Sequence, residues 1–482
     1  MFVQIRRIAC LIGALTAGAS IFTQPASAQQ IKPVVTFNKD VLPIVQKNCQ
    51  TCHRPGQIGP FSMLTYKDAR PWAKAIKTAV TSRTMPPWFA DPHYGHFIND
   101  RSLKQSEIDA IAAWVDSGAP EGDAKDAPPP IQWPAAGWQV KPDVVVELPP
   151  FDVPARGVLD WMTLVIPAPF KEDTWITSME ILPGEPAVVH HACWDFYRHQ
   201  PTYVYNTYEW TEIPRDEDGI AAKKPASPQG ASGARAAAAE GGAAFAPPDA
   251  IVVTREVGST VEKRRSGKPV NPNGGIFCYL PGLTLEDYRP MNAAYFLPAG
   301  SDIAINIHYT TNGLAVTDRT RIGFTVAKTP PARQFIPQTY VPDPRLSVVQ
   351  ERAQAQTEIA IPPYEANYPA PPSTIIFNKD IELVTMRPHA HVRGKSAKYT
   401  LKYPDGHEEI VLNVPRYDFN WQLSYATSVK VPKGSKMTVQ FTYDNSPNNR
   451  YNPDPSKWVY YGQQSWEEMG TPFVGFLIDR TE

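Results

Sequence analysis

The 482-residue chain lacks an excess of charge of either sign: 47 Lys and Arg stand against 48 Asp and Glu, a formal net charge of −1. That balance excludes the basic field by which proteins hold nucleic acid or an anionic membrane. Beyond its N-terminal stretch it has no apolar run long enough to cross a bilayer, so no transmembrane segment is expected. No acid/base triad and no phosphate-binding glycine loop is found. Cysteine is scarce, at five residues. What the chain has in abundance is proline, 51 residues, together with Trp, Tyr and Phe. Proline at this density disfavours long helices, and aromatics suit short strands joined by turns. The length predicts two or three domains.

Residues 1–28 read as a signal peptide. Arg6-Arg7 precede an apolar run from Ile8 to Phe22, and Ala26-Ser27-Ala28 supplies a small-residue cleavage site. The mature chain is then expected to start near Gln29 and to be periplasmic or secreted, with Sec and twin-arginine export both left open. Cys10 leaves with that segment. Two further cysteines belong to one motif, and Cys193 and Cys278 remain. In an oxidising compartment they either pair or stand as two buried thiols.

The motif is Cys49-Gln50-Thr51-Cys52-His53. This spacing bonds two thiols to haem vinyl groups while the next imidazole takes the iron. A redox dithiol or half a zinc site are the rival readings; the first has no need of His53, and no second cysteine pair completes the other. A helix is expected over Phe37–Asn48, and Ser106–Asp116 carries apolar residues at helical spacing before Gly118. Met85, on the proline-stiffened stretch Arg83–Trp88, is the expected second axial ligand, with His93 and His96 as competitors. Together these segments, residues 31–125, resemble a small class I cytochrome c with covalent haem c. Residues 126–142 read as a linker.

From 143 onward, alternating segments and turns predict a mainly β remainder: one β-sandwich over 143–330 and a second over 331–482. An Ala/Gly/Pro-rich insertion at about 221–250 interrupts the first, and a proline-rich crossing over about 330–372 separates the two. Five of the ten histidines fall in three places: His190-His191, His308 and His389-Ala390-His391. Alternate residues of a strand share a face, so His389 and His391 reach one ion. Adjacent residues do not, so His190 and His191 converge only at a strand end or bulge. Arg387 shares the face of His389.

The order His190-His191, Asn306-Ile307-His308-Tyr309, His389-Ala390-His391 and Glu467-Glu468-Met469 resembles the copper type II, ascorbate-dependent monooxygenases, the family of peptidylglycine α-hydroxylating and dopamine β-monooxygenases. The resemblance implies two jelly-roll sandwiches flanking an open cleft, each with one of two copper ions. His190, His191 and His308 would form the electron-storing site. His389, His391 and Met469 would form the oxygen-activating one, with Met386 or Met437 as substitutes for Met469 and a plain core role as its alternative. Arg387 matches an arginine that grips a substrate carboxylate; a salt-bridged structural arginine is the other reading. Ala192 and Gly470 depart from the family pattern, where methionine and cysteine are common.

The implied activity is hydroxylation of a C–H bond in a small-molecule or peptide-like substrate by O₂. Electrons would enter through the haem from a soluble carrier, a quinol-linked enzyme or a small reductant. The alternative is a periplasmic electron-transfer or copper-binding cytochrome c protein without oxygenase activity. A copper nitrite-reductase-like catalyst is disfavoured, because neither Cys193 nor Cys278 has the histidine and methionine spacing of its electron site.

Overall fold

The computed structural model describes residues 34–134, 137–157, 159, 162–199, 205–210, 277–280, 282–337, 349–353, 358–462 and 465–480. The signal segment and the low-complexity insertion lie outside these residues. Residues from Val35 to the C-terminus form one compact unit.

Its N-terminal part is helical. Phe37–Val41 forms a π turn that runs into the α-helix Leu42–Asn48, which ends at the Cys49 motif. Two later helices, Ala73–Thr81 and Gln105–Asp116, close a small core around Phe37, Val45, Ile111 and the fully buried Trp114. The last helix starts where the Glu107 carboxylate accepts from the Lys104 amide (2.8 Å) and stops before Gly118 at φ +93°. The expected helix bounds hold to within a residue.

The remainder is mainly β, in several sheets. A five-stranded sheet has the order Tyr208–Trp210, Met162–Pro167, Ser301–Tyr309, Val189–Arg198, Phe277–Tyr279. A second sheet runs Val349–Ala353, Ser373–Phe377, Lys436–Tyr443, Gly394–Lys402, Glu408–Val414. Between them lies a nine-stranded sheet shared by both halves of the chain. Its order is Val144–Glu147, Arg321–Val326, Thr174–Leu182, Ala293–Leu297, Arg333–Ile336, Thr471–Asp479, Ile381–His389, Tyr425–Val431, with Leu285–Asp287 beside Thr174–Leu182. The joint is the short strand Arg333–Ile336, parallel to Ala293–Leu297 on one side and antiparallel to Thr471–Asp479 on the other.

Adjacent residues of a strand face opposite ways, and near this joint both ways lead into apolar cores. Phe335, Val384 and Leu477 pack into the core of the first half, while Ile336, Leu383 and Phe476 pack into that of the second. The joint therefore forms a wall of two cores at once. Cys193 and Cys278 sit opposite each other on paired strands and form a disulfide.

The helical part is seated on the β body by directional contacts. The Asp91 amide donates to the Asn413 carbonyl (2.8 Å), and the Ile98 amide to the Ala426 carbonyl (2.8 Å). Asn99 bridges Ser424 and Ala426 (both 2.9 Å). Trp88 and Phe97 both pack on the ring of Tyr425.

Candidate metal centres

His190 and His191 lie on Val189–Arg198, and His308 on its neighbour Ser301–Tyr309. The pairing sets His308 opposite His191 and Tyr309 opposite Val189, so the register slips by one residue and His190 is the residue left over. This is a β-bulge. It removes the difficulty posed by two adjacent histidines, because the extra residue is turned out of the alternation. The three ring centroids lie 5.3 to 5.4 Å apart. One nitrogen from each ring lies within 4.8 Å of the others, so the trio can hold a metal ion. An ion bonded to imidazoles at about 2 Å keeps its nitrogens within roughly 4 Å of one another, so small ring rotations complete the set.

The donors are ready to bind. Burial holds the His190 and His191 imidazoles below their usual pKa; for His191 the four neighbouring histidines add to the effect. Burial, helped by His190, lowers His308 to about 4. At neutral pH all three rings are uncharged, the form a metal requires. The buried Nδ1 of His190 has no hydrogen-bond partner among the described residues. A polar atom left in that condition costs stability unless a ligand takes it.

The second pair is built differently. His389 ends the strand Ile381–His389 opposite Thr471. Continuing that register past the strand end sets position 469 beside 391. Three contacts hold the two segments together: the His391 amide donates to Glu468 Oε2 (2.9 Å), the Arg393 amide to Glu468 Oε1 (2.6 Å), and His391 Nδ1 to the Glu467 carbonyl (3.1 Å). His389 Nδ1 donates to Gln422 Oε1 (2.8 Å). With both Nδ1 protons so engaged, the Nε2 lone pairs are the ones left for a metal. The two rings stand 5.3 Å apart, and burial lowers His389 to about 4.

Met469 is 5% exposed and packs in neither large core, whereas Met386 and Met437 are both interior residues of the second core. Of the three methionines, Met469 is the one that the strand register, continued past His389, sets beside the histidine pair. Burial raises the carboxyl of Glu468 to about 8 against the opposing pull of the two amides and Arg393.

The two clusters are neighbours. Phe419 packs against His190 at 6.0 Å and His391 at 6.3 Å between ring centroids. It belongs to the loop between Glu408–Val414 and Tyr425–Val431, which also carries Gln422 and Tyr417. The Tyr417 hydroxyl donates to the Ala390 carbonyl (2.8 Å) and accepts from the Ala390 amide (3.1 Å), pinning the residue between the two histidines. Sequence reasoning missed this loop; its only signal is a crowd of aromatics between two strands.

Arg387 is 8% exposed, with its guanidinium 4.9 Å from the centre of the Phe473 ring. Burial lowers its pKa, and the nearby Glu286 carboxyl opposes that shift. Burial raises the Glu286 carboxyl in turn, with Arg387 opposing.

In the helical part, Nδ1 of His53 donates to the Phe61 carbonyl (3.1 Å), which again leaves Nε2 as the donor. Cys49 and Cys52 are unlinked thiols. Burial and the neighbouring Cys52 push Cys49 up to about 12. Burial raises the Cys52 thiol as well, with Arg101 and Arg54 opposing. Met85 is half-buried after the helix Ala73–Thr81. His93 and His96 are exposed and engaged at the seam with the β body: His93 bonds Asp91 (2.7 Å), and the His96 carbonyl accepts from Thr427 (2.9 Å).

Comparison with known protein families and with curated proteins finds no match. Among solved structures, the crystal structure of PBCV-1 VP54 fitted into a cryo-EM reconstruction of the virophage Sputnik is 8% identical, covering 70% of this chain and 94% of that one at a TM-score of 0.18. The N-terminal CBM22-1-CBM22-2 tandem domain of Xyn10C from Paenibacillus barcinonensis is 6% identical, covering 70% and 80% at a TM-score of 0.11. At those scores neither likeness carries an argument about fold or function.

Proposed function

We propose that this chain is an exported copper- and haem-c-dependent monooxygenase that hydroxylates a C–H bond of a small organic or peptide-like substrate. In this reading the N-terminal part is a class I cytochrome c and the β halves are jelly-roll sandwiches. The observation that carries it is the bulge at His190, which turns two adjacent histidines toward His308 beside a second histidine pair. A bulge at a ligand position serves to re-aim a side chain.

His190, His191 and His308 would hold one copper, and His389, His391 and Met469 the other; Cys49, Cys52, His53 and Met85 would hold haem c. Copper in such donor sets supplies one-electron storage and O₂ chemistry, and a His/Met haem supplies electrons at a raised potential. The residues around them do the positioning. Gln422 and the Glu467 carbonyl fix the tautomers of His389 and His391. Tyr417 and Glu468 hold the backbone on which those rings stand. Phe419 fills the space between the clusters and keeps water from it.

The test is metal analysis of the purified holo-protein with an oxygen-uptake screen of candidate substrates. Two coppers per haem, with substrate-stimulated uptake, is the expected result. Haem without copper after reconstitution leaves an electron carrier, and the proposal fails.

A further inference from the structure

The turn at Leu280–Leu283 is where the helical part meets the first β half at the thiol end of its motif. Reciprocal backbone hydrogen bonds between Leu280 and Leu283 close it (3.1 and 2.8 Å), and Gly282 sits at φ +81°. A β-carbon at Gly282 would lie 3.4 Å from Cys52 Sγ and 3.1 Å from Arg101 Nη1. Arg101 Nη2 reaches the Gly282 carbonyl (3.5 Å). Two residues before Leu280 stands Cys278, bonded to Cys193, and Cys193 is two residues from His191 on the same strand. Cys193, Cys278 and Leu280 pack together as a small buried cluster against Leu283 and Phe473.

From Cys52 to His191 the path therefore has a single gap between non-bonded atoms, at Gly282. After it come one turn hydrogen bond, the chain from Leu280 to Cys278, the disulfide, and the chain from Cys193 to His191, with the strand pairing of Tyr279 and Ala192 as the competing crossing that the bridge variant leaves intact. The positive φ favours glycine here, and a β-carbon at this position would lie at van der Waals contact with the sulfur.

We propose that the Gly282 turn and the Cys193–Cys278 disulfide are the path by which an electron passes from a haem bonded at Cys52 to a copper held by His190, His191 and His308. The inference rests on the reading above and names its path. One Fe(II) becomes Fe(III) and one Cu(II) becomes Cu(I). No bond is made or broken, no proton is consumed, and the disulfide stays oxidised. Phe473 offers a competing exit, because its ring packs on the same cluster and lies 6.0 Å from His389. That exit needs two more through-space contacts and is the poorer one.

The test uses the full-length holo-protein, anaerobic, with copper oxidised and haem reduced by one equivalent. Haem oxidation is followed by stopped-flow absorbance, and copper reduction by loss of the Cu(II) EPR signal. Gly282→Asn tolerates the left-handed backbone while wedging the turn off Cys52; Cys193→Ala with Cys278→Ala removes the bridge. Each is expected to slow transfer by about tenfold or more, the scale on which ångström displacements act on reacting partners, with haem and copper contents unchanged. Wild-type transfer rates in metal-replete, folded variants overturn the path. So does slowing by Phe473→Leu but not by the bridge variant, since the electron then enters at His389. If the bridge variant does not fold, Gly282→Asn decides alone. A wild-type chain that takes up no copper or no haem overturns both readings, whereas full uptake with unaffected variants overturns the path alone.

Discussion

Replacing His190 with alanine separates binding from folding. In the metal-free protein the ring nitrogen being removed is buried without a partner, so its loss leaves no orphaned group behind and relieves one already present. The apo variant is expected to be as stable as wild type or slightly more so. The metal-loaded comparison goes the other way. Copper at a hundred times its Kd stabilises a binding-competent protein by about 2.7 kcal/mol. The compact unit spans Val35–Glu482, and at about 2 cal/mol/K of unfolding entropy per residue each kcal/mol is worth roughly 1 °C there, so each copper site filled raises the wild-type Tm by about 3 °C.

With two ligands left of three, the first-centre share of that gain is lost at the same copper concentration. Protonation sets the pH window. The His308 imidazole falls from an ordinary 6.5 to about 4 on folding. Below 6.5 the unfolded chain binds the proton that the folded chain refuses. Apo stability is therefore full above pH 6.5 and declines as pH drops toward 4, by up to roughly 3 kcal/mol for this ring. The copper-induced shift should fade over the lower part of the same window, as protons reach the rings. Differential scanning fluorimetry of both proteins, with and without copper from pH 4 to 8, reads all of this. A His190→Ala protein that keeps the full copper shift, or an apo variant several degrees less stable, would refute the reasoning.

Two further substitutions probe the second centre. Gln422→Ala takes away the acceptor that fixes the His389 ring, and should weaken copper at His389/His391 by about 10- to 100-fold in a competition titration, with little change at the three-histidine centre. Gly394→Ala would place a β-carbon 2.7 Å from both the Ala390 β-carbon and Tyr417 Cδ1. It should cost about 1–3 kcal/mol in denaturant unfolding and displace the Tyr417 hydroxyl from Ala390, lowering copper affinity there as well.

Much of the local structure was legible in the sequence. The helices around Cys49-x-x-Cys52-His53 and the strand bearing His389 are expected from periodicity and spacing, and strand alternation alone requires a strand end or a bulge at His190-His191, of which the structure has the bulge. Other features depend on register and docking, which one sequence does not reveal. Arg333–Ile336 is four residues in a proline-rich stretch, too short for a period, yet it joins the halves. Gly282 reads as an ordinary turn glycine until the helical part is seated on it. Gln422 and Phe419 lie about thirty residues from the histidine pair His389-Ala390-His391, on a loop with no motif. Glu468 stands in a recognisable motif, but its role emerges only when the amides of His391 and Arg393 are found pointing at it.

The strand Arg333–Ile336 also limits how this protein can be taken apart. Cut the chain near residue 330 and each portion keeps its own histidines, but the second portion is left with Phe335, Val384 and Leu477 stripped of the first core. Neither fragment is a module that can be grafted or exchanged, and heating should melt the two together in one transition. The second histidine pair thus stands on a sheet whose other half covers the core beneath the first cluster, and Phe419 packs against both.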